Sequence, residues 1–156
     1  MSRAFVKEQD DVPEELPERP ISTNPNFVTA RGLALIDAEI DSCRKLLAQG
    51  QHAQDKSAIA RASRDLRYWT SRRSSAQQVG SVENPDAVAF ATRVTIERED
   101  GRRQVFSIVG EDEADPAKGL IGYTSPMARA LMGKGKGDVA EVPGGEVEIV
   151  ELGAIR

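Results

Sequence analysis

One pattern limits what this chain can fold into. Between Val28 and Ala76, apolar residues recur at alternating steps of three and four in two successive runs. The first run is Leu33, Ile36, Ile40, Cys43 and Leu47. The second is Ile59, Ala62, Leu66, Trp69 and Ala76. This spacing places each run on one stripe of a helix, as in a coiled-coil seam. Folding the two runs against each other pairs Leu47 with Ile59, Cys43 with Ala62, Ile40 with Leu66 and Ile36 with Trp69. All four pairs are centred on residues 52 to 53. The shared centre predicts an antiparallel helical hairpin that reverses at Gln51–Gln54, with the tip Gly50-Gln51-His52-Ala53-Gln54-Asp55.

Residues 1–26 carry Pro13, Pro17, Pro20 and Pro25 among six acidic side chains. Proline lacks a backbone donor, and like charges repel, so this segment reads as a disordered or extended tail. Thr29 is placed as the N-cap of the first helix. Gly32, early in that helix, allows close packing against the second domain. Residues 79–86, with Val79-Gly80-Ser81 and Asn84-Pro85, read as a linker.

From Ala87 the apolar period changes to two. Val88–Phe90 and Thr92–Glu97 read as one strand, bulged near Ala91. A turn at Glu99–Arg102 leads into a return strand over Gln104–Val109. Gly110–Gly119 is an acidic loop and Leu120–Tyr123 a short strand. Ser125-Pro126 carries the N-cap and first-position proline of a short helix, Pro126–Met132. Gly133–Gly137 is a mobile turn bearing two lysines. Asp138–Val142 and Glu146–Leu152 form a last hairpin about Pro143-Gly144-Gly145. The fold class is α+β: a helical hairpin (27–78) followed by a small antiparallel sheet domain with one short helix (87–156).

Charge divides along the same boundaries. Residues 1–26 have three basic and six acidic side chains, 27–78 nine and five, and 79–156 nine and fourteen. A basic arm lies between two acidic segments. The net charge of −4 is not that of a free duplex-DNA binder. No apolar run approaches the ~20 residues of a membrane span, and no apolar stretch follows Met1–Phe5 to make a secretory signal. A cytoplasmic, monomeric chain is expected.

Residues able to carry catalysis are few. His52 is the single histidine, and Cys43 the single cysteine, placed on the seam as a small hydrophobe. No nucleophile–histidine arrangement can be assembled, and no metal-ligand spacing is present. Asp112-Glu113-Ala114-Asp115 lacks a phosphate-binding loop to accompany it and reads as solvated acid. The expectation is a chain that is not an enzyme and has no cofactor of its own.

Several stretches together resemble the Gre transcription elongation and cleavage factors (GreA/GreB family). They are Phe106–Asp115 with its IVGEDEAD run, Ser125-Pro126-Met127-Ala128-Arg129-Ala130-Leu131, Pro143–Glu148, Pro25–Leu33, and Arg67–Thr70. The resemblance implies an FKBP-like C-terminal domain that docks at the rim of the RNA polymerase secondary channel. By motif, Thr124, Ser125, Pro126 and Met127 would be the contact residues. The hairpin would enter the channel, where acidic tip residues in cleaving members help hold a polymerase-bound Mg2+. Here Gln51 and Gln54 stand in the two acidic places, beside His52 and Asp55, and the arms are short for the family. The resemblance is thus to an atypical member with weak or absent cleavage stimulation. Three alternatives remain open at this level: an active cleavage factor using Asp55, a prolyl isomerase, and a generic coiled-coil interaction module.

Overall fold

A computed structural model describes residues 16–155. The chain divides into two compact units. One contains residues 36–74 with the segment up to Thr23. The other contains Asn24–Leu35 and the chain from Ser75 onward.

The first unit is the expected hairpin. Helix α1 spans Ala30–His52 and α2 spans Lys56–Ser75. Ile36, Ile40 and Cys43 of α1 are buried, as are Ala62 and Trp69 of α2, so the seam is the one the spacing marks. Burial raises the Cys43 thiol pKa, with the nearby Asp65 and Glu39 carboxylates adding to the effect. That suits a packing role rather than a nucleophile.

The register differs from the expectation. Because α1 continues through His52, the non-helical turn is Ala53–Asp55, with Gln54 in the left-handed region at φ 53°. Two observed cross-hairpin approaches are Gly50 to Ile59 and Asp37 Oδ1 to Arg73 Nε, the latter at 2.8 Å. Both are centred near residue 55 rather than 52 to 53. The partners therefore slide by about one helical turn, which keeps the same faces together. Gly50 eases this approach, since a Cβ there would lie 3.2 Å from the Ile59 backbone nitrogen, tighter than ordinary van der Waals contact.

The expected tail, 1–26, is only partly within view, because residues 1–15 lie outside the described residues. Residues 16–23 do not behave as a free tail. Glu18 receives a hydrogen bond from Arg67 Nε at 3.0 Å. Arg19 lies 3.9 Å from the centre of the Tyr68 ring, and its Nη1 is 3.4 Å from Asp65. The physical reason is charge: an acid meets the basic face of α2, and a guanidinium stacks on an aromatic.

The Arg67 hydrogen bond holds the Glu18 carboxyl below the ordinary glutamate range. A carboxylate with a depressed pKa contributes its stabilisation above the unfolded value, about 4.3, and loses it as pH falls through the depressed one. Acid titration followed by NMR should therefore detach residues 16–23 with a midpoint below about 4.3. In Arg67→Gln the midpoint should return to the ordinary value.

The second unit is built on a five-stranded sheet in the order β5-β4-β3-β7-β6. Its strands are β3 (Thr92–Arg98), β4 (Arg103–Val109), β5 (Leu120–Gly122), β6 (Val139–Val142) and β7 (Gly145–Ala154). Helix α3, Pro126–Leu131, covers one face. Val94, Ile96, Ile108, Leu131 and Ile149 are completely buried between them.

Four differences from the sequence reading stand out. Val88–Phe90 is not strand. The chain turns at Ala89–Thr92, closed by the Thr92 hydroxyl donating to the Ala89 carbonyl at 2.7 Å, and Ala91 takes φ 64°. The sheet is not wholly antiparallel, because β5 pairs parallel to β4 (Ser107↔Leu120). The acidic loop makes this possible: its two 3-10 turns, Glu111–Glu113 and Pro116–Lys118, return the chain to the start of the next strand in the same direction. The Gly133–Gly137 turn is tied rather than free, with Gly133 N donating to the Val88 carbonyl and Val88 N to that of Lys134. Finally, residues flanking the hairpin form a second, two-stranded sheet. Phe27–Val28 (β1) pairs parallel with Gln77–Gln78 (β2). Residues assigned to the linker, 79–86, belong to this same unit.

Candidate functional site

The hairpin tip is polar and exposed. Gln51 and His52 close α1, while Gln54 and Asp55 lie in the turn; all four side chains face solvent. Asp55 has a structural task, since its Oδ1 accepts from the Ala58 backbone N–H at 3.1 Å and caps α2. Asp55→Ala should therefore cost about 1 kcal/mol of hairpin stability, read as a lowered urea midpoint, and Asp55→Ser should cost little. The tip itself offers a single carboxylate, with Lys56 adjacent. Among the described residues, no group of three or more His, Cys, Asp or Glu side chains is placed to hold a metal ion.

The second set of candidate residues opens α3. Ser125 is its N-cap, accepting from the Ala128 N–H at 3.3 Å, and Pro126 occupies the first helical position. Pro126 is exposed. Thr124 and Ser125 are half-buried along a depression of about 270 Å³ that also includes Glu111 and Ile121. Met127 packs on the sheet core. The structure thus brings Thr124 to Met127 together at one helix start, whereas the tip residues belong to the other unit.

Two features went unread in the sequence. Glu113, assigned to solvated acid, is 6% exposed. Its Oε2 accepts a 2.6 Å hydrogen bond from the Thr29 hydroxyl, and Thr29 in turn caps α1 by accepting from Gly32 N at 3.0 Å. Gly32 belongs here for a steric reason: a Cβ would sit 2.8 Å from Glu113 Oε2. Thr29 and Gly32 were legible as cap and close-approach glycine, but their partner, over eighty residues away, was not. The second feature is an aromatic cluster of Phe27, Phe90 and Tyr123, with ring centres 5.5 to 5.8 Å apart. The Tyr123 hydroxyl donates to the Pro25 carbonyl.

The chain thus joins a helical hairpin to a small sheet unit that carries a Ser-Pro helix start and a buried glutamate inside the IVGEDEAD run. Residues 83–154, a little under half of the chain, match the family model for the C-terminal domain of the transcription elongation factors GreA/GreB. Transcription elongation factor GreA of Geobacillus kaustophilus is 43% identical over 77 residues, 47% of this chain and 48% of the relative. GreA of Alkalilimnicola ehrlichii is 50% identical over 70 residues, 42% of this chain and 44% of the relative. The chain therefore spans about half the length of the curated relatives it matches. Among solved structures, the GreA factor homolog 1 (Gfh1) protein of Thermus thermophilus is similar at 20% identity and a TM-score of 0.40. That alignment covers 83% of this chain and 99% of that one. Among the described residues, no helix is long and apolar enough to cross a membrane.

Proposed function

We propose that this chain is a monomeric, cytoplasmic elongation factor that binds RNA polymerase at the secondary-channel rim and regulates elongation with little or no stimulation of transcript cleavage. In this reading the sheet domain docks through Thr124, Ser125, Pro126 and Met127, and the hairpin enters the channel. The factor is not itself an enzyme; any hydrolysis belongs to the polymerase active site and its magnesium. The domain match over residues 83–154 supports the polymerase as partner.

One observation carries the finer part: the tip presents two amides, Gln51 and Gln54, and a single carboxylate that caps its own helix. A neutral amide binds magnesium far less well than a carboxylate and supplies no negative charge. Retention on core polymerase at moderate salt tests the partner, and loss of retention would sink the reading. RNA release from backtracked complexes tests the tip. Cleavage at the rate of an acidic-tip factor, abolished by Asp55→Ala, would instead favour the active-factor alternative.

A prolyl isomerase draws less support. The domain offers only Phe90, Phe106 and Tyr123 as aromatic side chains, and Phe90 and Tyr123 are packed against Phe27. Peptide isomerisation at the uncatalysed rate would dismiss that activity. A generic coiled-coil module would show concentration-dependent mass in solution.

A further inference from the structure

Among the described residues, Glu113 is the only buried carboxylate. It is fully engaged inside the chain: Oε2 accepts from the Thr29 hydroxyl at 2.6 Å, and Oε1 forms an ion pair with Arg31 Nε at 4.0 Å. Helix stability alone does not account for this arrangement. Thr29 already caps α1 by accepting from Gly32 N, which needs no carboxylate. Burying a charge carries a desolvation penalty, and glycine inside a helix is less stable than alanine. Both unfavourable choices seat the same group, since a Cβ at position 32 would lie 2.8 Å from Glu113 Oε2.

Glu113 ends the short 3-10 turn Glu111–Glu113, which Glu113 N closes by donating to the Gly110 carbonyl at 3.2 Å. This turn has two sides. On one, Glu113 holds Thr29, and Asn24–Leu35, with the first turn of α1, belongs to the same unit as the sheet. On the other, Glu111 and Ala114 line the depression beside Thr124 and Ser125. The turn fits closely at its remaining contacts. A Cβ at Gly110 would meet the Phe27 carbonyl oxygen at 2.4 Å, and one at Gly122 would stand 3.7 Å from the Ala114 Cβ. Tyr123, directly before Thr124, makes a second link: its hydroxyl donates to the Pro25 carbonyl and its ring packs on Phe27. The wall of the depression and the entry to α1 thus share one turn of chain.

We propose that Glu113 is a positioning residue for polymerase docking. By holding Thr29 at the root of α1, it fixes the turn Glu111–Glu113, and with it the shape of the depression beside Thr124 and Ser125. This rests on the reading that these residues form the docking surface. Linkage makes the effect reciprocal: a partner seated in the depression tightens the hold on Thr29 by the same factor.

Gly32→Ala in the full chain is the decisive variant. Its Cβ displaces Oε2, the flexible end of a side chain, while alanine favours the helix and leaves Thr29 and the docking residues in place. If Glu113 were merely structural, the variant would show an unchanged or raised Tm and nothing more. A positioning role predicts two further changes. Hydrogen exchange at the Ser125 amide, which donates to the Gly122 carbonyl at 2.9 Å, should quicken about fivefold relative to the Ile149 amide, bonded to the Asp138 carbonyl in the same unit. Affinity for core polymerase should fall by about the same factor. Thr29→Val should reproduce both changes, whereas Thr29→Ser, which keeps the hydroxyl, should behave as the parent; this pair decides the matter if Gly32→Ala does not fold. Ser125 exchange that only follows Ile149, unchanged polymerase affinity in a folded Gly32→Ala, or Thr29→Ser behaving as Thr29→Val would each overturn the proposal. Failure of the parent chain to bind polymerase would instead overturn the docking reading, and the exchange measurement, made without polymerase, still reports the link from Glu113 to Ser125.

Discussion

Gly110→Ala should be the most damaging small substitution in the sheet unit, costing about 3 kcal/mol, the upper end of what overpacking usually costs. A Cβ at Gly110 would stand 2.4 Å from the carbonyl oxygen of Phe27. The obstacle is backbone, and it belongs to β1, whose ladder with β2 would have to move. For a unit of this size the cost corresponds to a fall in Tm of roughly 15 °C. Gly80→Ala is the matched control, because nothing lies within 4 Å of a Cβ there. It should be neutral or slightly stabilising, since alanine restricts the unfolded chain more than glycine does. Thermal melts of the two variants beside the parent check the pair. Equal melting temperatures would mean that β1 yields easily and does not brace the sheet unit.

Pro126→Asp is expected to lower affinity for core polymerase at least about tenfold while leaving the fold intact. Pro126 is exposed at the first position of α3, where an acidic side chain suits the helix dipole. Its stability effect should stay within about 0.5 kcal/mol, as for other surface changes. That separation matters because Met127, the neighbouring candidate, packs on the core, so loss of binding there would be ambiguous. Competition binding with labelled parent protein provides the readout. Unchanged affinity in a folded Pro126→Asp would remove this helix start from the docking surface.

What the sequence made legible follows the range of the interactions involved. Of the ten seam residues, Ile36, Ile40, Cys43, Ala62 and Trp69 are buried and Leu33, Leu47, Ile59, Leu66 and Ala76 half-buried, because a three-four spacing dictates a face without reference to any partner. Register was less legible. A shared midpoint locates a reversal only to within a turn, and the length of α1 at its end depends on how Gly50 lets Ile59 approach. Ser125 as N-cap and the tight hairpin with Val142 opposite Gly145 are local signals, and both hold.

The parallel β4–β5 pairing and the burial of Glu113 depend instead on contacts between distant segments. An acidic run looks the same whether water or the Thr29 hydroxyl receives one of its carboxylates. Residues 16–23 show the same limit. Their composition is that of a free tail, but Glu18 and Arg19 find their partners on α2, over forty positions away. The tip residues Gln51, His52, Gln54 and Asp55 were read as exposed, and they are.

The small β1–β2 ladder has one more consequence. It pairs Phe27 with Gln77 and Val28 with Gln78, so the chain leaves for the hairpin and comes back through two adjacent, parallel strands. Everything between those strands is a closed excursion whose base is fixed by backbone hydrogen bonds, such as Val79 N to the Val28 carbonyl at 2.9 Å. The reach of the arms is therefore a separable variable. Inserting or deleting one heptad in each arm preserves the seam and moves the tip by roughly 10 Å, at 1.5 Å per residue. Neither change requires a new contact at the base. In such a design, a lineage can retune the length of the hairpin through insertions and deletions alone, without any change to the sheet unit.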